Sequence, residues 1–196
     1  MSEIRRLAIF CGSNPGARAD YAEGARSLAR LLCERSIGVV YGGSSVGLMA
    51  VIAATMLEAG GEVIGVIPRM LVEREVANTD LADLRIVESM HERKALMAKL
   101  ADGFVALPGG IGTLEEFFEI WTWAQLGVHE KPCGLLNAAG YFDPLLAFLD
   151  RAVEERFVRT VHREMVIVES DPRALLQRFA EYEAPKVVKW LNAGTI

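Results

Sequence analysis

Short apolar runs alternate along the chain with longer amphipathic stretches, and this alternation limits the possible folds more than any other feature. The apolar runs are nearly continuous rather than alternating with polar residues, which is typical of parallel strands buried on both faces of a sheet. We predict strands at residues 7–11, 38–41, 62–67, 103–107, 133–136 and 165–169, with a further short strand at 84–87. We predict helices at residues 20–35, 46–59, 89–100, 113–126, 143–156 and 172–180. This order indicates an α/β fold, a doubly wound parallel sheet flanked by helices, whose binding crevice lies at the carboxyl ends of the strands.

Three pairs of residues have the spacing of a capping box, in which a side chain before the helix and a carboxylate three residues later satisfy free N–H groups. The pairs are Asp20 with Glu23, Ser89 with Glu92, and Thr113 with Glu116. They predict where three of the helices begin. The polar segment 68–83 carries no such signal and is predicted to connect two strands.

The size and composition predict one globular domain. The chain has 196 residues, of which 52% are hydrophobic and 24% charged, and its net charge is -5. We expect a single α/β domain over residues 1–196, with a core at about 7–180 and a C-terminal tail at 181–196. Without a dense basic run, a nucleic-acid polymer is not an expected partner. No apolar run is long enough for a signal peptide or a membrane span, so we expect a cytoplasmic protein.

The three cysteines, Cys11, Cys33 and Cys133, are odd in number and widely spaced. Such spacing fits neither a disulfide framework nor a zinc site. The histidines His91, His129 and His162 also lack metal-ligand spacing, and we interpret them as structural or surface residues. We therefore expect no metal ion and no redox cofactor.

Glycine-rich loops follow three of the predicted strands, at residues 11–16, 41–47 and 107–113. Glycine allows the backbone to approach a ligand closely, and a helix that begins after such a turn directs free N–H groups at an anion. Each loop could also be a tight βα turn and nothing more. The loops lack the Gly-Lys-Ser/Thr ending of a Walker loop and the G-x-G-x-x-G fingerprint of a dinucleotide site. The pattern therefore favours a nucleoside monophosphate.

The predicted helix after the third loop carries Glu115, Glu116 and Glu119. Spacing alone favours Glu116 as the carboxylate of a capping box. A phosphate bound at the same N–H groups would instead leave Glu116 free to face the ligand. Carboxylates beside an anion site suggest that some of them stabilise a developing cation or accept hydrogen bonds from hydroxyls.

Arg93 interrupts the apolar stripe that Met90 and Met97 form on another predicted helix. An arginine in this position can extend to the surface. Alternatively, its planar guanidinium can grip a phosphate or polarise a leaving base. Lys94 adds a second positive charge beside it.

The segments Pro108-Gly109-Gly110-Ile111-Gly112-Thr113-Leu114-Glu115-Glu116 and Ser89-Met90-His91-Glu92-Arg93-Lys94 resemble the paired motifs of the LONELY GUY (LOG) family, the cytokinin riboside 5′-monophosphate phosphoribohydrolases. The stretches at 42–49 and 122–127 are similar to that family as well. The resemblance runs from about residue 7 to residue 165. The family pattern departs at Ser44 and Ala50, where many relatives have glycine.

The resemblance implies a Rossmann-like homodimer that hydrolyses the N-glycosidic bond of AMP or an N6-modified AMP, without a cofactor. It implies that Arg93 and Glu116 are catalytic. The implied substrate-binding residues are Ser13, Gly43, Glu75, Met90, Lys94, Gly109, Gly110, Ile111, Gly112, Thr113 and Thr122. Two rival functions are a non-catalytic AMP-binding module and a pyridoxal-phosphate lysine decarboxylase. The latter needs a Schiff-base lysine, and no lysine stands out in such a setting.

Aromatic residues are concentrated in the helix predicted at 113–126. Phe117, Phe118, Trp121 and Trp123 all fall within it. An apolar helix of this kind is buried either in the core or between subunits. The core is the simpler interpretation, whereas the family resemblance implies that the helix contributes to a dimer.

Overall fold

A computed structural model describes residues 4–72 and 77–185 and contains one seven-stranded sheet in which every strand pair is parallel. The strands are β1 (Arg6–Phe10), β2 (Gly38–Tyr41), β3 (Val63–Pro68), β4 (Asp83–Val87), β5 (Gly103–Ala106), β6 (Cys133–Leu136) and β7 (Val166–Glu169). Their order across the sheet is β4-β3-β2-β1-β5-β6-β7. The chain thus winds outward in both directions from β1, which pairs with β2 on one side and β5 on the other. The prediction of a doubly wound parallel sheet is confirmed, including the short strand β4.

Helices follow the strands as the sequence alternation predicts. They are α1 (Ala19–Glu34), α2 (Gly47–Glu58), α3 (Arg69–Val72), α4 (Met90–Leu100), α5 (Ile111–Gln125), α6 (Asp143–Glu154), α7 (Thr160–Arg163) and α8 (Pro172–Ala180). A short 3-10 turn at Ala138–Gly140 precedes α6. Helix α3 lies inside the segment predicted to be a simple connection. No helix in the described ranges is long and apolar enough to cross a bilayer.

The two faces of the sheet are covered by different helices. In β1, Leu7 and Ile9 pack into one apolar cluster with α1, α2 and α8, whereas Ala8 and Phe10 pack into a second with α4, α5 and α6. All four of these side chains are buried, as expected for a strand with helices on both sides. Residues at the carboxyl end of β1 therefore emerge between two helical layers.

The aromatic residues of α5 divide between core and surface. Phe117 and Trp121 are buried, and Phe118 and Trp123 are partly exposed. The indole N–H of Trp121 donates a hydrogen bond to the carbonyl of His162 at 2.9 Å. The core interpretation thus holds for two of the four aromatic residues.

Only one of the three predicted capping boxes forms, and only in part, because the Glu92 carboxylate accepts a hydrogen bond from the Glu88 N–H at 2.8 Å instead of the Ser89 N–H. The Ser89 hydroxyl accepts a hydrogen bond from the Glu92 N–H at 3.1 Å and caps α4. The prediction for Asp20 is wrong because α1 begins one residue earlier, after Arg18, without a side-chain cap. The prediction for Thr113 is also wrong, since α5 already begins at Ile111, after Gly110. Because Thr113 lies inside the helix, Glu116 does not serve as its capping partner.

Candidate active site

Backbone hydrogen bonds join the three glycine-rich loops at the carboxyl ends of β1, β2 and β5. The Gly12 N–H donates to the Pro108 carbonyl at 3.0 Å, and the Gly12 carbonyl accepts from the Leu48 N–H at 3.0 Å. The first loop is thereby fixed to the other two. The arrangement lies at the strand where the chain reverses its direction of winding, which is where open α/β sheets bind ligands.

A cavity of about 310 Å³ opens at this junction. One part of its wall is the start of α5, residues 110–113, together with Ser13 of the first loop. A second part carries Arg93 and Glu116, and apolar side chains complete the wall. The apolar contributors are Ile9, Met49, Leu71 and Met90. The cavity therefore offers both polar and apolar surface to one ligand.

The start of α5 provides the polar surface of this cavity. The bond from the Leu114 N–H to the Gly110 carbonyl at 3.1 Å is the first of the helix. The four N–H groups before it, at residues 110–113, have no partner within the helix. Together with the positive end of the helix dipole, such groups favour an anion. A methyl group added at Gly110 or Gly112 would meet no protein atom within 4 Å, so the fold itself does not require glycine at these two positions.

Arg93 and Glu116 face each other across the cavity wall. The Arg93 Nη2 lies 3.4 Å from the Glu116 Oε1, and their side chains are only 9% and 10% exposed. Burial raises the pKa of the Glu116 carboxyl, and the positive charge of Arg93 offsets part of this effect. The Cys11 thiol lines the same cavity, and burial raises its pKa as well, so it remains protonated. Glu116 is therefore the buried acidic group of the site.

Gly42 leaves the space that the Arg93 guanidinium occupies. A Cβ atom at Gly42 would overlap Nη2 of Arg93. The Nη1 of Arg93 lies 3.8 Å from the Met90 sulfur, and the buried Nε has no hydrogen-bond partner among the described residues. An unsatisfied buried donor is uncommon in folded proteins. Arg93 therefore retains hydrogen-bonding capacity at the cavity.

Lys94, unlike Arg93, does not line the cavity. Its Nζ lies 2.5 Å from Glu115 Oε1 and 3.0 Å from Glu119 Oε2, which places it between α4 and α5. Two of the three carboxylates that the sequence places near the anion site thus share one lysine as their ion-pair partner. Glu116 alone of the three pairs with Arg93.

The remaining residues predicted for the site fall into three groups. Ser13, Met90, Ile111 and Thr113 line the cavity, and Gly109 lines an adjoining cavity of about 270 Å³ that shares Ser13 and Gly110 with it. Gly43 is buried beside the site, and Thr122 is exposed on α5 with its hydroxyl bonded to the Phe118 carbonyl at 2.7 Å. Glu75 lies outside the described residues.

Several contributors to the cavity were not among the predicted site residues. These are Ile9, Cys11, Gly42, Met49, Leu71 and Glu115. Cys11 and Gly42 have a usable signal, because each directly follows one of the central strands. Met49 and Leu71 have none, since an apolar residue in a helix is normally assigned to the core. Tyr141 was also missed, and its hydroxyl donates to the Gly109 carbonyl at 2.6 Å from a distant turn.

The histidines lie apart from the described lining of the cavity. His91 is exposed, and the ring of His129 contacts the Ile120 carbonyl at 2.9 Å. Burial lowers the pKa of His129 to about 4, so it is neutral at physiological pH. Within residues 4–72 and 77–185, no group of three acidic, cysteine or histidine side chains is placed to hold a metal ion.

The fold and the site define a doubly wound α/β protein with an anion cradle and a buried acidic group at its switch point. Comparison with known proteins is more specific. The chain is 46% identical over 194 residues to a probable cytokinin riboside 5′-monophosphate phosphoribohydrolase, LOGL2, of Oryza sativa subsp. japonica, covering 96% of this chain and 80% of that protein. It is 46% identical over 181 residues to the enzyme LOG3 of Arabidopsis thaliana, covering 92% and 84%. The chain belongs to this LOG family of phosphoribohydrolases.

The family model that matches residues 49–179 is described as "possible lysine decarboxylase". A pyridoxal-phosphate enzyme of that kind needs a lysine at the cofactor. The described lining of the cavity contains no lysine. Lys94 is held by two carboxylates, and Lys131 donates to the carbonyls of Ala98 and Ala101. Among the described residues, those that line the cavity do not fit that cofactor.

Solved structures support the fold. The molybdenum cofactor carrier protein of Chlamydomonas reinhardtii superposes with a TM-score of 0.69 at 18% identity, covering 92% of this chain and all of that one. A structural-genomics target, TM1055, gives a TM-score of 0.67 at 21% identity, covering 91% and 99%. At this level of identity the likeness concerns the architecture alone.

Proposed function

We propose that this protein hydrolyses the N-glycosidic bond of an adenine-type nucleoside 5′-monophosphate and releases the free base and ribose 5-phosphate. The observation that carries the proposal is the buried Glu116 carboxylate in the same cavity as the free N–H groups of α5. The activity named for relatives at 46% identity supports the same reaction. Plain AMP and N6-modified AMP are both candidate substrates.

The reaction requires a negatively charged group close to the ribose carbon C1′. Breaking the bond between C1′ and the base nitrogen leaves positive charge on the ribose, and a carboxylate close to C1′ stabilises it. Water then forms the new C1′–O bond, and one of its protons is transferred to the departing base. In the proposal Glu116 stabilises the cation, accepts this proton from water and then releases it, so that the base gains one proton and the carboxylate is restored.

The 5′-phosphate binds at the start of α5 in this proposal. Gly110, Gly112 and Thr113 supply N–H groups there, and Ser13 adds a hydroxyl from the first loop. Interactions with the phosphate are distant from the bond that breaks, and they hold the ribose beside the carboxylate. The apolar wall formed by Met49, Leu71 and Met90 accommodates the base and any apolar group on N6.

Product analysis with a panel of substrates tests the proposal. We expect free base and ribose 5-phosphate from AMP and from N6-isopentenyl AMP when the products are separated by liquid chromatography. Adenosine lacks the phosphate and should show a kcat/KM lower by about 100-fold, the loss typical of a charged hydrogen-bonding group. Saturable binding of AMP without base release would identify a non-catalytic binding module instead.

Gly112→Ala separates ligand binding from folding. The added methyl group meets no protein atom within 4 Å, and alanine is favoured over glycine in a helix, so the melting temperature should not fall. If phosphate binds against this backbone, the KM for AMP should rise about tenfold, equivalent to about 1.4 kcal/mol. Gly60 also has open space around it, but Gly60→Ala is unsuitable as a control because alanine is strained at the positive φ of 72° found there. A wild-type KM for this variant would show that the phosphate binds elsewhere.

A homodimer and a cytoplasmic location form part of the same proposal. Phe118 and Trp123 leave aromatic surface partly exposed on α5, next to the exposed Thr122. Burial of this surface against a second copy would bring Thr122 into a subunit interface, as the family resemblance implies. Light scattering should then give twice the chain mass of 21.5 kDa. A mass of one chain at micromolar concentration would contradict the dimer.

A further inference from the structure

A second set of charges joins α4 to α5 beside the Arg93–Glu116 pair. The side chain of Lys94 is only 7% exposed and lies between Glu115 and Glu119, whose side chains are 51% and 24% exposed. Both carboxylates come from α5, whereas the lysine comes from α4. This cluster, Lys94 with Glu115 and Glu119, is called the lysine clasp below.

Helix geometry explains why the clasp and the catalytic pair lie side by side. Glu115 and Glu119 are four residues apart and share one face of α5, whereas consecutive residues are turned by about 100°. Glu116 therefore points to a different side from Glu115, and Arg93 to a different side from Lys94. On α4, Arg93 lines the cavity and Lys94 lies against α5, whereas on α5 Glu115 contacts Lys94 and also borders the cavity.

The clasp joins a buried ammonium to two carboxylates that are partly exposed. Burial acts to lower the pKa of Lys94, but its hydrogen bond to Glu115 and the negative charges of Glu115 and Glu119 outweigh this effect and the pKa is raised. The ammonium therefore stays charged. An ion pair of this kind contributes less to stability than apolar packing of similar volume. The presence of a charged group between the two helices therefore suggests that the clasp has a role beyond holding the fold together.

We propose that Lys94 is a positioning residue, which holds α4 against α5 so that Arg93 meets Glu116. The inference rests on the proposed hydrolase function and assigns Lys94 no direct contact with the substrate. The same face of the sheet supports both helices through the buried Met97 and Phe117, so the clasp controls the spacing of the charged ends rather than their attachment.

Charges on both helices act on Glu116. Apart from burial, Arg93 and Lys94 lower the pKa of Glu116, whereas Glu115 and Glu119 raise it, and the Cys11 thiol faces it from the end of β1. Loss of the Lys94 charge should therefore raise the pKa of Glu116. Loss of the Glu119 charge should lower it. These opposite directions separate an electrostatic role from simple damage to the structure.

The test compares Lys94→Met and Glu119→Gln with Lys99→Met, which removes an exposed lysine from the same helix. The pH profile of kcat is measured with AMP, and the Glu116 carboxyl is titrated by carbon-13 NMR in glutamate-labelled protein, with Glu116→Gln for assignment. The NMR titration measures the effect of the clasp on the Glu116 carboxyl even if no base release is found. A wrong positioning role for Lys94 can therefore be distinguished from a wrong hydrolase proposal.

We expect Lys94→Met to lower kcat at neutral pH by about 10- to 100-fold, the range for a small misplacement of catalytic groups, with a much smaller change in KM. The acid limb of its kcat profile and the titration of its Glu116 carboxyl should move to higher pH. In Glu119→Gln both should move to lower pH. Lys99→Met should match the wild type. If Lys94→Met fails to fold, Glu119→Gln and the charge-retaining Lys94→Arg decide the question.

Two results would overturn the positioning role. A large rise in KM for Lys94→Met with an unchanged Glu116 titration would assign Lys94 to direct substrate binding. A shift of both Lys94→Met and Glu119→Gln in the same direction would show a general structural effect.

Discussion

Glu116→Gln is expected to lower kcat for base release by about 10²- to 10⁴-fold, the usual contribution of a general base. KM for AMP should change much less if the phosphate binds at the start of α5, as proposed. Glutamine keeps the size of the side chain and leaves an oxygen near Arg93. It removes the negative charge that is proposed to stabilise the ribose cation and to accept a proton from water.

The surroundings of Glu116 make this substitution informative. The side chain is 10% exposed and paired with Arg93 at 3.4 Å, so water cannot easily replace the lost charge. The substitution also removes the counter-charge of the Arg93 guanidinium, which can lower the stability of the fold. Thermal unfolding of the variant therefore has to accompany the kinetic measurement.

Glu154→Gln provides the matched control. Glu154 is exposed on α6 and pairs only at the surface with Arg151 at 3.1 Å, an interaction that contributes about 0–1 kcal/mol. Its kcat should equal that of the wild type. Near-wild-type turnover in folded Glu116→Gln would remove the acidic group from the mechanism and leave an anion-binding cavity without an assigned chemistry.

The sequence predicts the sheet well because strands and helices are encoded locally. Runs such as residues 38–41 are apolar throughout, and only burial on both faces accounts for that pattern. The three glycine-rich loops follow from the same pattern, because the carboxyl ends of parallel strands share one edge. Their hydrogen bonds through Gly12 confirm the expected meeting point.

The details of the site depend on packing that the sequence does not reveal. The capping-box spacing of Thr113 and Glu116 suggested a helix that begins two residues later than it does. Gly110 takes the N-cap position instead, which turns Glu116 into the cavity. Likewise, the sequence analysis placed both Arg93 and Lys94 at the site, whereas only Arg93 lines the cavity and Lys94 lies between α4 and α5. Only the relative placement of two helices decides that.

Arg93→Met is expected to lower kcat/KM at neutral pH by about 10²- to 10³-fold, the loss typical of removing one group that stabilises charge in the transition state. Methionine roughly fills the same space without the charge. Burial already raises the pKa of Glu116, and Arg93 counteracts part of that rise. Without Arg93 the pKa of Glu116 rises further, and more of the carboxyl is protonated at neutral pH.

The raised pKa of Glu116 also predicts the direction in which the pH profile of Arg93→Met moves. Since the proposed mechanism requires Glu116 as the carboxylate, activity of the variant should fall as the pH drops through the raised pKa. The acid limb of kcat/KM therefore moves to higher pH, and the deficit is smaller at pH 9 than at pH 6. A variant with a damaged fold would lose activity about equally at both values. Arg151→Met, which removes an exposed arginine on α6, should leave the profile in place.

The choice of substrate then shows which part of the nucleotide Arg93 serves. If Arg93 holds the phosphate, Arg93→Met should lose most of the preference for AMP over adenosine. If it neutralises charge on the departing base, the preference should persist while both rates fall. Gly42→Ala displaces the same guanidinium without changing Arg93 itself, because its methyl group would overlap Nη2 of Arg93. This variant should reproduce the pattern of Arg93→Met in a milder form, whereas a wild-type profile would show that the guanidinium moves aside without loss of function.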